Sequence, residues 1–337
     1  MSEQLTAKVD VELAENSILP ERGPWRTLLL LAGLAVAVLL PYYIYPPVAM
    51  DILTWGLFAI SIDLLLGFTG LLSFGHAAFW GGSAYTTGLI AMKSGLPFPV
   101  AVIGGAIFAM VIAVPIGYLS VRRTGIYFAM VTLAFGQVLY FVANQWRDVT
   151  GGENGLQGIP KNFFGIDAIE TDSFYFYYAG LVIVLVGVAI AWRVVNSPFG
   201  RVLVAIRDNP ARARALGYDV EKYKIVAFVL SAGLAGLAGG VFAISHGFAS
   251  LQELVWTTSG KVVLVTVLGG IGTLWGGLVG AGIVVVLEDY LASSGFNGIG
   301  LITGSIFVLI VLLFRHGIWG TGRNLVRHFV LERRRPR

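Results

Sequence analysis

Apolar residues run along this chain in long blocks, broken by short clusters of glycine, proline or charge. The first block, 28–45, holds 18 residues, which at about 1.5 Å each reach roughly 27 Å, enough for one crossing of a bilayer. It ends in Pro41-Tyr42-Tyr43-Ile44-Tyr45-Pro46-Pro47, an aromatic interfacial ending and not a small-residue cleavage site, so the block reads as a retained span. Further blocks follow at about 51–66, 71–92, 98–121, 126–145, 174–195, 223–246, 261–291 and 298–314. The 261–291 block is too long for one ordinary span, and Gly269-Gly270, Gly272 and Gly276-Gly277 in its middle suggest two segments joined by a bend. The pattern predicts an all-α integral membrane protein of about ten transmembrane or re-entrant helices. Residues 1–27 form a polar leader, 28–315 the membrane domain with a loop at 196–222, and 316–337 a basic tail.

Charge orients the bundle, because short loops rich in Lys and Arg stay in the cytoplasm. Arg122-Arg123 marks one inner loop. The stretch 193–224 carries seven basic residues against three acids, and 315–337 carries seven arginines against one acid. The 146–173 stretch has five acids and two bases and belongs outside. With 193–224 and the C-terminus both inside, the 261–291 block must enter and return, either as two full spans or as a re-entrant pair. Both termini are then cytoplasmic, and the expected location is the inner membrane of a bacterium.

Composition narrows the function. Of 337 residues, 56% are hydrophobic and 12% charged, about half the charged share of a typical soluble domain, and 44 are glycine. Cysteine is absent, which removes thiolate metal sites, iron–sulfur clusters and cysteine nucleophiles together. Gly260-Lys261 lacks the upstream glycine of a phosphate-binding loop, and Gly270-Ile271-Gly272 begins a dinucleotide fingerprint that fails at Trp275. His76, His246, His316 and His328 stand at no metal-ligand spacing. No catalytic constellation emerges, and no metal or cofactor is expected in this chain. The arginines of the tail follow a final span, which favours anionic lipid or orientation over nucleic acid.

The most informative stretch is 197–217. Asn209 is suited to cap a helix whose first position is Pro210, while Ala211, Arg212, Ala213 and Arg214 favour helix and Gly217 suits a left-handed close. This writes a short helix of about two turns with no apolar face of its own, marginal alone, so something must pack against it. It is either an ordinary inner loop with a helical turn or a docking helix for a cytoplasmic partner.

That stretch, continuing through Lys224-Ile225-Val226-Ala227-Phe228-Val229-Leu230-Ser231-Ala232-Gly233, resembles the permease subunits of bacterial ABC importers for branched-chain amino acids, and among them the second, M-type permease. Leu64-Leu65-Leu66-Gly67-Phe68-Thr69-Gly70-Leu71-Leu72-Ser73-Phe74-Gly75-His76 and Thr150-Gly151-Gly152-Glu153-Asn154-Gly155 extend the resemblance, which covers roughly 28–315. It implies a type II-like bundle and a coupling helix within 199–217, carried by Arg207, Asn209, Pro210, Ala211, Arg212, Ala213, Arg214 and Gly217. The looser importer pattern has Glu-Ala-Ala followed three residues later by Gly. Here Ala213 and Gly217 match, whereas Ala211 and Arg212 replace the Glu and the first Ala, so Arg207, Arg212 and Arg214 are left as charged donors. The implied partners are two ATP-binding cassette subunits that hydrolyse the ATP, a second permease subunit, a periplasmic substrate-binding protein and the amino-acid substrate.

Polar groups within the apolar blocks are candidates for the translocation path, since an Asp at mid-bilayer costs about 2.5–3.5 kcal/mol. Asp63 is either part of the route, in a network near His76, or a helix-end residue on the cytoplasmic side. Gln137 and Asn144, seven apart, fall nearly on one helical face. Glu253 and Glu288-Asp289 are read as span-end residues among solvated headgroups. The small-residue ladders Ser73/Ala77/Gly81, Gly272/Gly276/Gly280 and Gly236/Gly240 serve helix packing or a path. Glycines at 67, 70 and 75 suit a broken helix. The competing functions are an ion-coupled secondary transporter, for which Asp63 is the one serious carboxylate, a related permease for urea or short amides, and a membrane-embedded enzyme, which no residue arrangement supports.

Overall fold

The computed structural model describes residues 24–166, 170 and 172–294, with the isolated positions 300, 302, 304, 305, 317 and 318. The leader, the 298–314 block and the basic tail thus lie largely or wholly outside the described residues. The main helices are α1 (Pro24–Tyr43), α2 (Pro46–Thr69), α3 (His76–Ser94), α4 (Phe98–Ser120), α5 (Ile126–Gln145), α6 (Ser173–Val195), α7 (Pro198–Asp208), α8 (Pro210–Ala215), α9 (Val220–His246), α10 (Trp256–Gly269) and α11 (Trp275–Ser293). Among the described residues six of them, α2, α4, α5, α6, α9 and α11, are long and apolar enough to cross a membrane.

Local chemistry sets the ends. Pro46 and Pro47 open α2, where a missing N–H goes unnoticed, and Gly70 closes it at φ +72°. Asp172 caps α6 by accepting the Phe174 N–H at 2.8 Å, and Asp219 caps α9 by accepting that of Lys222 at 3.1 Å. α2 is the axis of the bundle: 94% of its most apolar window is buried, against 28% for α5. It packs against α6, α9, α10 and α11, while α3 and α4 close on the other flank of α9.

Water-driven burial does not hold helices together within lipid, so close approach and interhelical hydrogen bonds must do so. A side chain at Gly236 would collide with Ala106 and Ala109 of α4, and one at Gly277 would meet Ala59 of α2. Ser83 of α3 donates to the Gly236 carbonyl of α9 at 2.6 Å, and Thr266 of α10 to the Ala59 carbonyl of α2 at 3.2 Å. The small-residue ladders therefore act in packing, Gly81 against Leu254 and Gly280 against the Val265 backbone.

Two boundaries differ from the hydrophobic pattern. The block expected at 71–92 becomes helical only at His76. Residues 70–75 form an irregular connection, with the Phe74 N–H on the Thr132 hydroxyl of α5 at 3.3 Å and Gly75 against the Thr132 backbone, leaving no room for a side chain. The 261–291 block resolves into two helices, α10 and α11, joined by a turn at 270–274. α10 starts earlier than expected, at Trp256, yet its 14 residues span only about 21 Å, so of the two only α11 reaches the length of a crossing. On the acidic loop, Leu156 and Gln157 pair antiparallel with Ala249 and Phe248, a two-residue ladder that ties 146–172 to the end of α9.

Candidate functional site

The basic end of the bundle carries a rigid elbow. The Asn209 side chain caps α8, accepting the Arg212 N–H at 2.9 Å; Pro210 stands in the first turn, and Gly217 follows at φ +87°. The stretch is two helices and not one, because Asn209, at φ −156°, breaks α7 from α8. Nor is α8 devoid of an apolar contact. Ala213 is buried with Ile206 and Val220, under Val202 and Tyr223, so α7 and the start of α9 supply the support that a two-turn helix requires. Arg212, Arg214 and Ala211 remain exposed.

Arg207 points elsewhere. Its guanidinium donates to the Gly67 carbonyl at 2.5 Å, near the end of α2, and holds Asp208 at 3.0 Å. Directly behind Gly67 lies Asp63, fully buried, with Oδ1 accepting the Gly272 N–H at 2.6 Å and Oδ2 the Leu274 N–H at 2.9 Å. The Asp63 carboxylate therefore braces the α10–α11 turn, where Leu274 holds a left-handed φ of +60°. It faces neither solvent nor His76. His76 belongs to a separate chain: its Nε2 hydrogen-bonds the Ser231 hydroxyl at 2.8 Å, and Ser231 donates to the Ser61 carbonyl at 2.5 Å. Gln137 and Asn144 are half-buried on α5, and the Gln137 amide nitrogen has no hydrogen-bond partner among the described residues.

Toward the other end is a cluster of charged and aromatic groups that sequence reasoning missed. Glu253 is buried, not solvated, and accepts the Trp80 indole N–H at 2.7 Å. Lys261 pairs with Glu288 at 2.5 Å and lies 4.2 Å from the centre of the Trp55 ring. Trp55 and Trp80 pack at 5.4 Å, Trp80 stacks on Phe58 at 4.6 Å, and His246 approaches Asp51 at 3.5 Å. The signal available in sequence is Lys261 inside an apolar block, a position whose spacing reads only as a failed phosphate loop. Glu253 gives no such signal, because a residue beside a helix end in sequence is not always solvated in space.

Long apolar helices, interhelical contacts through small residues and internally satisfied polar groups define a multi-pass helical membrane protein. Residues 44–315 match the family model described as "Branched-chain amino acid transport system / permease component", and the chain belongs to that family. It is 29% identical over 318 residues, 86% of its own length and 74% of the relative's, to the high-affinity branched-chain amino acid transport system permease protein LivM of Escherichia coli K12. It is 26% identical over 231 residues, 65% of its own length and 70% of the relative's, to a probable branched-chain amino acid transport permease protein LivH of Methanocaldococcus jannaschii. It is also 29% identical over 222 residues, 61% of its length and 60% of the relative's, to the autoinducer 2 import system permease protein LsrC of Salmonella typhi. No solved structure matches. As a permease component of an ATP-binding cassette importer, the chain is not itself a catalyst, and ATP is used by partner ATPase subunits.

Proposed function

We propose that this chain is the M-type permease of a branched-chain amino acid importer, with α7–α8 as the lever through which two ATPase subunits act. The observation that carries the reading is the path from elbow to bundle: a capped α8 whose exposed arginines face outward, continuous through α7 to Arg207, and from Arg207 through Gly67 to the Asp63-braced turn of α10–α11. A bistable rigid element is what transmits work between sites, and a floppy loop does not. The basic end is then cytoplasmic, the 146–172 loop faces a periplasmic binding protein, and both termini lie inside. A second permease completes the cavity. The autoinducer 2 relative bears on substrate, since likeness to this family alone does not fix the solute.

Co-expression with a second permease subunit and ATPase subunits of a branched-chain amino acid importer tests the reading. The complex is expected to co-purify in mild detergent and, in vesicles, to take up leucine, isoleucine or valine in competition with one another and not with urea or short amides. Uptake driven by a proton or sodium gradient without nucleotide, and abolished in Asp63→Asn, would establish the ion-coupled reading instead.

A further inference from the structure

A recess of about 180 Å³, counted out to its mouth, opens where the α1–α2 junction, the start of α6 and the end of α9 meet. Pro46, Phe176 and Tyr177 give it an apolar wall, and Lys161, Ser173 and Ser245 are its polar groups. Lys161 is presented from a backbone pinned on both sides. The Ile159 N–H donates to the Gly247 carbonyl at 2.9 Å, the Asn162 carbonyl accepts the Phe98 N–H at 2.7 Å, and the Asn162 side-chain amide donates to the Gly95 carbonyl at 2.9 Å. The Lys161 ammonium stands 5.1 Å from the centre of the Phe176 ring.

This cation lacks a counterion. Among the described residues no carboxylate lies within ion-pair distance of Lys161. Glu170 and Asp172, on the approach to α6, are taken by the backbone N–H groups of Phe163 and Phe174, each at 2.8 Å. Burial holds the Lys161 ammonium below the ordinary lysine range, because the charge loses hydration and gains no anion in return. Ser173 is the first residue of a 23-residue helix, so the positive end of α6 also faces the recess. Cation, helix end and the two serine hydroxyls all favour one class of ligand, an anion.

The recess lies at headgroup level. Pro46 opens α2 and Ser173 opens α6, and both helices are long enough to cross the membrane, so their first residues mark one membrane–water interface. Tyr42, Tyr43 and Tyr45 before α2, and Tyr175 in the first turn of α6, are exposed at that level, as an interfacial aromatic belt is. From Tyr175 the exposed face of α6 runs on through Val182 and Val186, wholly apolar and suited to an acyl chain.

We propose that the recess seats the phosphate group of one membrane phospholipid on Lys161 and the first turn of α6, with the acyl chains along the exposed face of α6. A lipid held there ties the 159–162 loop to the ends of α2, α6 and α9. The proposal needs only that α2 and α6 cross the membrane, and it holds for either orientation of the chain.

Native mass spectrometry of the full-length chain, purified in mild detergent and stripped of lipid, tests this with three probes. They are dioleoyl phosphatidylglycerol, dioleoylglycerol, which lacks the phosphate, and glycerol 3-phosphate, which lacks the acyl chains. One phosphatidylglycerol per chain is expected to be retained at concentrations where neither of the others is. Lys161→Gln is expected to weaken that first binding by about fivefold, the worth of one cation beside an anionic headgroup, and Lys161→Arg to keep it. Lys93→Gln removes an exposed lysine of α3 two residues before Gly95, at the same end of the bundle, and is expected to change nothing. Equal retention of dioleoylglycerol, unchanged binding in Lys161→Gln, or an equal loss in Lys93→Gln would overturn the proposal, the last by showing a general lipid shell. Glycerol 3-phosphate bound as tightly as the lipid would make this a site for free anions and overturn it too. Loss of binding-protein docking in the assembled importer, with lipid retention untouched by Lys161→Gln, would assign the lysine to a carboxylate of that partner instead.

Discussion

Asp63 and Gly272, 209 residues apart in sequence, are joined by a hydrogen bond of 2.6 Å from the Gly272 N–H to the Asp63 carboxylate. The second carboxylate oxygen takes the Leu274 N–H at 2.9 Å, so one buried side chain satisfies two donors of a turn that has no ladder of its own. Asp63→Ala is expected to leave both donors unpaired, at about 1–3 kcal/mol for the buried Leu274 N–H and less for the half-buried Gly272 N–H. Asp63→Asn should fall between, since its amide oxygen accepts one N–H while its NH2 group meets the other. Thermal unfolding of the detergent-purified chain measures the order wild type, Asn, Ala; equal melting temperatures for all three variants would refute the bracing role.

Arg207 reaches from α7 to the Gly67 carbonyl, and this is the contact by which the elbow grips the bundle. Arg207→Ala is expected to reduce uptake more than ATP hydrolysis in the assembled importer, with at most about 1.5–3 kcal/mol lost in stability, the range for a hydrogen bond to a charged group. The ratio of solute moved to ATP hydrolysed is the quantity to follow. A parallel fall in both rates would mean that the arginine serves assembly alone.

At the elbow itself, Asn209→Ala removes the cap on the Arg212 N–H and is expected to weaken α8 by about 1 kcal/mol, while Asn209→Asp keeps it. Hydrogen exchange of the 211–216 amides reads this directly. Unchanged protection in the alanine variant would show that burial of Ala213 alone holds the helix.

Gly75 lies against the Thr132 backbone, and an added methyl would also meet Thr132 Cβ at 3.2 Å. Gly75→Ala is expected to cost about 1–3 kcal/mol through overpacking, whereas Gly260→Ala, where nothing lies within 4 Å, should be nearly neutral. The yield of monodisperse protein compares the two.

Asp219 caps α9 and pairs with Lys222 at 3.0 Å, and the hydrogen bonds from Lys222 hold its carboxyl below the ordinary carboxylate range. A depressed pKa means that the stabilisation is fully present above the unfolded-state value and is lost as pH falls through the folded one. Exchange protection of the first turn of α9 is therefore expected to hold unchanged from neutral pH down to the ordinary carboxylate range and to drop only below it. Asp219→Asn should show no such acid-dependent drop.

Much of the fold was legible because a bilayer admits few solutions: a long apolar run must be a helix, and a charged one must lie at an end. The blocks at 51–66, 98–121, 126–145, 174–195 and 223–246 each became one helix, and Asn209, Pro210 and Gly217 announced the elbow because caps are local chemistry between residues a few positions apart. Long-range partnerships were not legible. Asp63 reads identically in sequence whether it lines a route or braces a turn, and only the fold set the 270–274 backbone against it. Glu253 stood beside a helix end in sequence, yet packing buried it against Trp80, and the pairing of Glu288 with Lys261 joins two helices that sequence leaves unconnected. Composition and local spacing determine which segments are helices and where they stop. Which buried charge meets which donor depends on the relative rotation and depth of helices, and those are settled by side-chain packing between segments up to two hundred residues apart.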